Sequence, residues 1–330
     1  MKKVLFATTA LVLSAGFASA EVAVSGDGRM GVIYDGDDAQ FSSRARVKFT
    51  LTGESDAGLS FGGSFRVDQE NYSSNEFRSA ARGTGGEVWI SGTYGKLSMG
   101  DTVSASEAAI GDLYEVGYTD GGFGGDIEEI NYLSGDGENL DQGPNILYEY
   151  TINNISLYAS ASDGVNTYGN QITGSGTDVT VTDPVTGDVT IVNENTDSAS
   201  TAYSLAAKYD GSTWWASLGY AKHDDASEIA LGGEAKFNNF SAKGIYVKYD
   251  DSLRDYTAGI ALSYQADAVL VKGFYRKDKW DVLVNGDDNY DAFGIGADYD
   301  LGGGAVLAGG IIDSDYLDDT VVDMGIKFKF

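Results

Sequence analysis

The chain ends with VVDMGIKFKF, residues 321–330, and this stretch alternates between two kinds of side chain. One set of alternate positions is apolar and consists of Val322, Met324, Ile326, Phe328 and Phe330. The other set carries three charged residues, Asp323, Lys327 and Lys329. Because successive side chains of a strand point to opposite faces, the pattern predicts a β-strand with one apolar face and one face in water.

Fifteen earlier segments repeat this alternation at lengths close to the roughly 9 to 11 residues that a tilted strand needs to cross a bilayer. The sixteen predicted segments are 22–32, 44–51, 59–67, 87–94, 96–101, 145–151, 155–162, 202–209, 214–221, 229–237, 240–249, 256–264, 268–276, 292–299, 305–312 and 321–330. Segments 87–94 and 268–276 are the least regular. An even number of strands is typical of single-chain outer-membrane barrels. We therefore predict an all-β fold, a transmembrane antiparallel up-and-down β-barrel of about 16 strands.

The links between these segments alternate in length. Short links rich in Gly, Asn and Asp, which suit tight hairpins, are 53–58, 95, 153–154, 210–213, 238–239, 265–267 and 300–304. The longer links include 35–40, 163–200, 277–289 and 313–320, and residues 164–195 have the composition of an extra hairpin. This alternation predicts a barrel with short periplasmic turns at one end and long extracellular loops at the other.

The first twenty residues have the features of a secretory signal peptide. Lys2 and Lys3 precede an apolar run from residue 4 to 17, and Ala18-Ser19-Ala20 resembles a cleavage site. We expect residues 21–330 to form a single transmembrane β-barrel domain. Removing the two lysines takes the formal charge from −28 to −30, so nucleic acid is not an expected partner. The chain contains no cysteine, so disulfides do not contribute to its stability.

Alternation alone also fits a soluble β-sandwich. The export signal favours a membrane barrel, and the mean hydropathy of −0.20 is too polar for a bundle of membrane helices. A basic side chain facing lipid at mid-membrane costs roughly 2 to 4 kcal/mol, so Arg44, Arg46 and Lys48 together would cost up to roughly 6 to 12 kcal/mol. These three residues are therefore expected to face the inside of the barrel.

Aromatic residues near the ends of the segments suit the interface between membrane and water, where an apolar ring with a polar edge is favoured. The residues at these positions are Tyr94, Tyr150, Tyr209, Trp214, Phe237, Phe240, Tyr249, Tyr256, Tyr264 and Tyr299. Any one of them is also compatible with ordinary strand composition, so the prediction of an aromatic girdle depends on their repeated placement.

The link that follows the fifth segment is strongly acidic. Residues 101–132 contain eight carboxylates and no basic residue, and residues 97–207 contain no Lys or Arg at all. Ten of the 22 basic residues come before this region, and those of the early strands, such as Arg44, Arg46 and Lys48, fall at alternating positions. Opposed charges across a narrow aqueous gap create a transverse field, so this acidic stretch would produce one wherever it faces the basic strands across water.

The loop, the signal peptide, the strand pattern and the terminal Phe together resemble Gram-negative general diffusion porins. Residues 121–126, Gly-Gly-Phe-Gly-Gly-Asp, are similar to the Pro-Glu-Phe-Gly-Gly-Asp signature of enterobacterial porins, with Gly121-Gly122 in place of Pro-Glu. The stretch AIGDLYEVGYTD, residues 109–120, resembles the alphaproteobacterial, Rhodobacter-type porins. The resemblance implies a water-filled outer-membrane channel for passive diffusion of small hydrophilic solutes and ions, narrowed by an inward-folded third loop at about residues 101–144.

The same resemblance implies which residues narrow the pore. The basic wall is expected to consist of Arg29, Arg44, Arg46, Lys48 and Arg66. The acidic loop is expected to contribute Glu107, Asp112, Glu115, Asp120 and Asp126. With the strongly negative total charge, this arrangement predicts a weak preference for cations. Each acid taken alone is equally compatible with a solvated loop residue.

Further expectations concern partners and metals. The resemblance implies a homotrimer that contacts outer-membrane lipids and lipopolysaccharide, with the first strands and the last strand at the subunit contact. No cofactor is required. Oxygen ligands at flexible spacing suit calcium, and the candidate ligands near the loop are Asp126, Glu128 and Glu129.

Three alternatives belong to other functional classes. A substrate-selective channel needs an aromatic track along the lumen, for which Trp89 and Trp215 are candidates. An outer-membrane hydrolase needs a catalytic histidine, and His223 is the single histidine of the sequence, with no distinctive Ser or acid motif beside it. The third alternative, an exported soluble or adhesive β protein, needs no membrane at all.

Overall fold

The computed structural model describes residues 21–71, 77–78, 83–119, 127–133, 145–162, 178–182, 189–193, 201–223, 225–284, 287–317 and 319–330. The first half of the chain contributes β1 (Glu21–Tyr34), β2 (Ala39–Glu54), β3 (Ser60–Asn71), β4 (Phe77–Arg78), β5 (Gly83–Gly92), β6 (Gly95–Gly100), helix α1 (Ala105–Ile110), β7 (Asn145–Ile152) and β8 (Ile155–Ser162). The remainder contributes β9 (Asp178–Thr182), β10 (Val189–Asn193), β11 (Ala202–Asp210), β12 (Trp214–His223), β13 (Ala226–Phe237), β14 (Phe240–Asp250), β15 (Arg254–Ala266), β16 (Val269–Val284), β17 (Asp287–Gly302), β18 (Ala305–Ser314) and β19 (Val321–Lys329).

Sixteen of these strands form one closed barrel. Strands β1 to β3, β5 to β8 and β11 to β19 each pair antiparallel with the next strand of the barrel. The last strand returns to the first, with pairs from Asp27↔Lys329 to Tyr34↔Val322. Closure leaves no sheet edge with unpaired backbone groups, which a lipid environment would not tolerate. The predicted barrel is thereby confirmed.

The outer face of the barrel is apolar. Leu218, Ile260 and Met324 are exposed there, while alternate positions such as Ala230 and Ala261 are buried inside. An exposed apolar band is unusual for a protein in water and is what a lipid-facing barrel wall requires. In β19 the apolar residues of the C-terminal pattern point outward and Asp323 points into the barrel.

The short links form tight turns. Asn153, Asn238 and Asp267 adopt positive φ values of 53°, 52° and 49°, and Asn and Asp tolerate this conformation better than most residues. Two pieces lie outside the barrel ladder: β4 pairs with the end of β3, and β9 pairs with β10 as the extra hairpin that residues 164–195 predict. Within the described ranges no helix is long and apolar enough to cross a membrane.

The prediction of a long loop at residues 277–289 is wrong. Strand β16 continues to Val284 and β17 begins at Asp287. Lys277 pairs in register with Asp291, and their side chains form a salt bridge of 3.5 Å. Apolar alternation stops in this stretch although the ladder of backbone hydrogen bonds continues.

The prediction of an aromatic girdle on the outer face is correct for most of the named positions and wrong for Tyr249. Tyr209, Phe240 and Tyr299 are exposed beside short turns, as predicted. Tyr249 is 4% exposed and points into the barrel, where its hydroxyl donates to the backbone oxygen of Asn131. A tyrosine at a strand end fits either face, and here a loop inside the barrel supplies the acceptor.

The two irregular segments have different explanations. Glu87 and Trp89 are both partly buried on the inner face of β5, and the β3–β5 ladder shifts register between Phe65 and Val67. Lys272 belongs to a regular ladder and forms a salt bridge of 3.0 Å with Asp298 inside the barrel. The register shift lies before residue 87 and the ladder of segment 87–94 is regular from Glu87 to Gly92, so a bulge accounts for neither irregularity.

Candidate functional site

Residues 101–119 and 127–133, which come between β6 and β7 in the sequence, lie inside the barrel. We call residues 101–119 the outgoing limb and residues 127–133 the returning limb. The outgoing limb begins with helix α1, whose N-cap Ser104 accepts a hydrogen bond from the backbone N–H of Glu107 at 3.2 Å. The backbone N–H groups of Ala105 and Ser106 donate to Ser160 (2.9 Å) and Ser204 (3.0 Å) of the wall.

Apolar side chains hold the middle of the outgoing limb against the wall. Ile110, Leu113 and Val116 are all buried and belong to one hydrophobic cluster with wall residues such as Ala230 and Ala261. Fully burying a side chain of this size stabilises a structure by roughly 1.5 to 3 kcal/mol. The barrel thus has an apolar core between loop and wall, which explains why the inner faces of these strands carry Ala, Val and Ile.

Polar contacts fix the far end of the outgoing limb. Asp323 of β19 accepts from the backbone N–H of Tyr118 (3.0 Å) and of Thr119 (2.8 Å), and from the Thr119 hydroxyl. Arg29 of β1 donates through Nη1 to the backbone oxygen of Thr119 at 2.9 Å. The Tyr118 hydroxyl donates to the backbone oxygen of Ser42 in β2 at 2.8 Å. The outgoing limb therefore extends along the wall from β8 to β2.

Two arginines hold the returning limb. Oδ1 of Asn131 accepts from Nη1 of Arg254 at 2.5 Å and from Nη2 of Arg276 at 2.7 Å. Arg276 also donates to the backbone oxygens of Ile127, at 3.2 Å, and of Glu129. Hydrogen bonds from a charged donor are stronger than those between neutral groups, so the wall guanidinium groups contribute strongly to holding this limb.

Arg276 is itself held by a buried carboxylate. Nη2 of Arg276 lies 2.9 Å from Oδ2 of Asp278, and the two side chains are 6% and 0% exposed. Asp278 also accepts from the hydroxyls of Thr257 (2.5 Å) and Tyr316 (2.6 Å). A buried ion pair is tolerated when further hydrogen bonds support it, as they do here for the Asp278 carboxylate and for the two Nη atoms of Arg276.

The two limbs are also joined to each other. Oδ1 of Asp112 accepts from the backbone N–H of Ile130 at 2.8 Å, and the Tyr132 hydroxyl donates to the backbone oxygen of Gly111 at 2.9 Å. Burial raises the pKa of the Asp112 carboxyl, while the Ile130 hydrogen bond and the charges of Lys243 and Arg276 act in the opposite direction. Asp112 is thus a structural link between the limbs.

A cavity of about 570 Å³ lies between the outgoing limb and the wall. Glu115 is exposed on its loop side. The cationic side chains that line the same cavity are Arg29, Arg44, Arg46, Lys272, Lys327 and Lys329. Asp27 and Asp298 also line it, so the cavity contains one acid of the loop and a group of wall cations that wall acids partly neutralise. We call these six cations and Glu115 the charged zone.

The predicted basic wall is partly paired within the barrel. Arg44 lies 3.6 Å from Asp27, and both Arg46 (3.2 Å) and Arg66 (2.7 Å) lie close to Asp68. Arg29 is only 8% exposed and anchors the loop in addition to lining the cavity. Lys48 is exposed on the same face of β2 as Arg44 and Arg46 but does not line the cavity.

The structure brings together only some of the predicted site residues. Arg29, Arg44, Arg46 and Glu115 share the cavity. Lys48, Arg66, Glu107 and Asp112 do not line it, and Asp120 and Asp126 lie outside the described residues.

Glu128 and Glu129, two of the three candidate calcium ligands, lie on the returning limb, buried and half-buried respectively. Within the described part of the chain no three His, Cys, Asp or Glu residues are grouped so that they could hold a metal ion. The described residues alone do not complete a calcium site, so calcium binding stays a prediction.

Several functional residues were missing from the sequence prediction. Lys272 and Lys327 extend the charged zone, while Asp323, Asn131 and Arg276 hold the loop. One signal was available, because Lys272, Arg276, Asp323 and Lys327 all occupy polar positions within apolar alternation. The loop groups that these side chains contact are mostly backbone atoms, so the sequence does not show which loop residues they bind.

Comparison with known proteins gives one consistent result. A family model described as Gram-negative porin matches residues 7–319. The porin of Rhodobacter capsulatus is 36% identical over 346 residues, which cover 94% of this chain and 100% of that protein. The porin of Fuscovulum blasticum is 29% identical over 327 residues, with the same two coverages.

Solved structures agree with this result. A porin structure refined at 1.8 Å resolution is 33% identical, has a TM-score of 0.72, and is covered completely by 94% of this chain. A mutant of the Rhodopseudomonas blastica porin superimposes with a TM-score of 0.65 at 20% identity and 94% coverage of this chain, a likeness that concerns the fold alone. The chain therefore belongs to the Gram-negative porin family and is an outer-membrane porin, a channel and not an enzyme.

Proposed function

We propose that small hydrophilic solutes and ions diffuse passively through this porin and pass a constriction formed by the charged zone. The observation that carries the proposal is Glu115, the one acid of the described loop residues that is exposed in a cavity lined by six cations of the wall. The loop supplies the acid and the barrel supplies the bases, so the charges lie on opposite sides of the passage.

Opposed charges have a direct effect on permeation. They produce a field across the passage that orients water and polar solutes. An apolar solute must displace oriented water without replacing its hydrogen bonds, and this cost excludes it. Ions and polar solutes replace part of those interactions and pass.

The net charge supports a weak cation preference. The whole chain has a formal charge of −28, and the basic wall is partly neutralised by Asp27, Asp68 and Asp298. Lysines and arginines near the passage therefore reduce the cation preference without reversing it. Screening at physiological salt limits these effects to about 8 Å, so residues close to the passage dominate.

A substrate-selective channel is not favoured by the geometry of the two inward tryptophans. Nζ of Lys208 lies 4.4 Å and Nζ of Lys243 5.5 Å from the ring centre of Trp215, and Lys96 lies 6.0 Å from that of Trp89. Cation–π contacts of this kind occupy ring faces that a sugar would need for stacking. The two rings do not form an open aromatic track.

We also propose that the mature protein starts at Glu21 and assembles as a homotrimer in contact with outer-membrane lipid and lipopolysaccharide. The outer faces of β1 and β2 carry exposed apolar residues, among them Val24, Met30 and Phe41, and β19 adds Met324. An apolar surface of this kind suits either lipid or a second subunit. The trimer is proposed from the resemblance to the Rhodobacter-type porins.

The test is planar-bilayer conductance of the purified protein. We expect conductance to rise in groups of three equal steps, and we expect no single sugar to reduce the ion current in a saturable way. A saturable reduction by one sugar would support a selective channel instead. Absence of channels from membrane-inserted protein would overturn the proposal. His223→Ala serves as a control, because a channel without hydrolase chemistry should conduct like the wild type.

A further inference from the structure

We infer that four glycines on the inner wall seat the outgoing limb and set how far the loop projects into the passage. These seat glycines are Gly219 of β12, Gly232 of β13, Gly259 of β15 and Gly310 of β18. The inference rests on the proposed role of the loop as the constriction. It adds the residues that determine the width of the passage, as distinct from its charge.

The atoms nearest to a Cβ atom built at each seat glycine belong to the loop. A Cβ atom built at Gly219 would lie 2.6 Å from Oγ of Ser106, and one at Gly259 would lie 2.6 Å from Cδ1 of Leu113. At Gly232 the nearest atoms all belong to Ile110. The three nearest atoms at each of these positions come from the outgoing limb, so the missing side chain is the space in which the limb lies.

Gly310 is the most restrictive of the four. A Cβ atom there would lie 2.8 Å from Cγ1 of Val116 and 2.9 Å from both the N and Cα atoms of Gly117. Ordinary contacts begin near 3.4 Å, so the limb would have to move by several tenths of an ångström. Side-chain ends such as that of Leu113 can rotate away, whereas the Gly117 backbone can move only with the limb.

Backbone conformation does not explain these glycines. None of the four has a positive φ, so an L-residue could adopt the same backbone angles. Gly111 and Gly117 in the loop differ, with φ values of 63° and 86° that favour glycine. Space for the loop is therefore the constraint at the seat glycines.

The order of the contacts supports a continuous seat. Ser106, Ile110, Leu113 and the Val116-Gly117 pair follow one another along the limb, and their seat glycines lie on β12, β13, β15 and β18 in the same order. A Cβ atom at Gly296 would meet Val116 of the limb and also the backbone oxygen of Gly309 in the wall. A Cβ atom at Gly325 would meet Tyr118 of the limb and also the backbone oxygen of Met30 in the wall. Substitution of these two would disturb the barrel, so they are excluded from the test.

The experiment compares single-channel conductance and the uptake rate of sugars of increasing size for G310A, G259A and a control, G244A. A Cβ atom at Gly244 would have only one neighbour, the backbone oxygen of Gly259 at 3.9 Å. We expect G310A to conduct less than the wild type and to exclude sugars that the wild type admits. G259A should show a smaller effect, and G244A none.

A rescue variant distinguishes a contact between the seat glycine and the loop from general damage to the barrel as the cause of reduced conductance. Leu113→Ala removes the atoms that a Cβ atom at Gly259 would meet, so G259A combined with L113A should conduct more than G259A alone. Heat-modifiable mobility in detergent verifies that each variant is folded. Should G310A fail to fold, the G259A and L113A pair still decides the question.

Two outcomes distinguish this inference from the charged constriction. If G310A and G259A are folded and conduct like G244A, while E115Q changes ion selectivity, the seat is overturned and the charged constriction stands. If E115Q leaves selectivity unchanged while G310A conducts less, the seat stands and the charged constriction is overturned.

Discussion

The carboxylate of Asp323, on the last strand of the barrel, accepts hydrogen bonds from the backbone N–H groups of Tyr118 and Thr119 in the loop. The two elements are about two hundred residues apart in sequence, and Asp323 is 5% exposed. Strand β19 thus carries the C-terminal apolar pattern on its outer face and holds the loop through Asp323 on its inner face. Barrel closure and loop placement depend on the same strand.

Asp323→Ala should release the far end of the outgoing limb. The substitution leaves the buried N–H groups of Tyr118 and Thr119 without this acceptor, and each unsatisfied group costs about 1 to 3 kcal/mol. We expect faster cleavage after Glu115 by a glutamate-specific protease acting on the folded protein in detergent, measured by mass spectrometry of the fragments. Trypsin is unsuitable because residues 97–207 contain no Lys or Arg.

Asp56→Ala is the matched control for this variant. Asp56 lies exposed in the short turn between β2 and β3, away from the loop. Its cleavage rate should equal that of the wild type. Equal rates for all three proteins would show that Asp323 does not hold the loop.

Asn131→Ala should loosen the returning limb. The change removes the acceptor shared by Arg254 and Arg276, and hydrogen bonds to charged groups are worth roughly 1.5 to 3 kcal/mol each. We expect faster cleavage after Glu128 and Glu129, with cleavage after Glu115 less affected. Asn239→Ala is the control, since the Asn239 amide donates only to a turn oxygen, that of Gln265, at 2.8 Å. Unchanged cleavage at both glutamates would contradict the assignment.

The fold could be predicted because its two sequence signals, strand alternation and turn residues, are local. Alternation of side chains follows from strand geometry, and turn residues such as Asn153 and Asn238 follow from the positive φ that they adopt. Both are visible in short windows of sequence. The stretch around Lys277 was wrongly predicted as a loop because its alternation is no longer apolar, although the ladder continues to Lys279 and Asn289.

The site was less predictable because its contacts connect distant parts of the chain. Arg29 was expected in the basic wall, and its bond to the backbone oxygen of Thr119 has no sequence signature. Lys272 and Lys327 were missed because only barrel closure brings β16 and β19 beside the same cavity as β1 and β2. The path of the loop decides which of its acids are exposed in that cavity.

Replacing Arg44 and Arg46 together with Ala should widen the constriction and increase cation preference. Two positive charges leave the cavity, while Asp27 and Asp68 remain. Reversal potentials in a salt gradient and the size limit for neutral sugars measure the two effects. Lys248→Ala removes one charge from an exposed position that does not line the cavity, and should change neither. Unaltered selectivity and size limit in the double variant would count against the placement of both arginines.

Asp112 should give the channel a pH dependence. Burial raises its pKa above the ordinary value of 3.8, so it loses its negative charge at a higher pH than an exposed aspartate. Cation preference should therefore decline in a step as the pH is lowered from neutral, before exposed aspartates titrate. Reversal potentials at a series of pH values record this step.

The raised pKa of Asp112 also determines the direction in which the stability of the folded loop changes with pH. A carboxyl whose pKa is raised binds its proton more tightly in the folded state, so protonation stabilises the folded loop and this stabilisation is lost as the pH rises through the raised pKa. Asp112→Asn keeps an oxygen that can accept from Ile130 and removes the titration. The variant should lack the step in selectivity, and an identical step in the variant would assign it to another group.

The most direct test of the charged constriction is the reversal potential of Glu115→Gln in a salt gradient, measured beside the wild type and Glu54→Gln. Glu54 is an exposed acid at the end of β2 that does not line the cavity. We expect E115Q to lose cation preference or become anion-selective, because it removes the one described loop acid that faces the six wall cations, while E54Q behaves like the wild type. A reversal potential for E115Q equal to that of the wild type would contradict the claim.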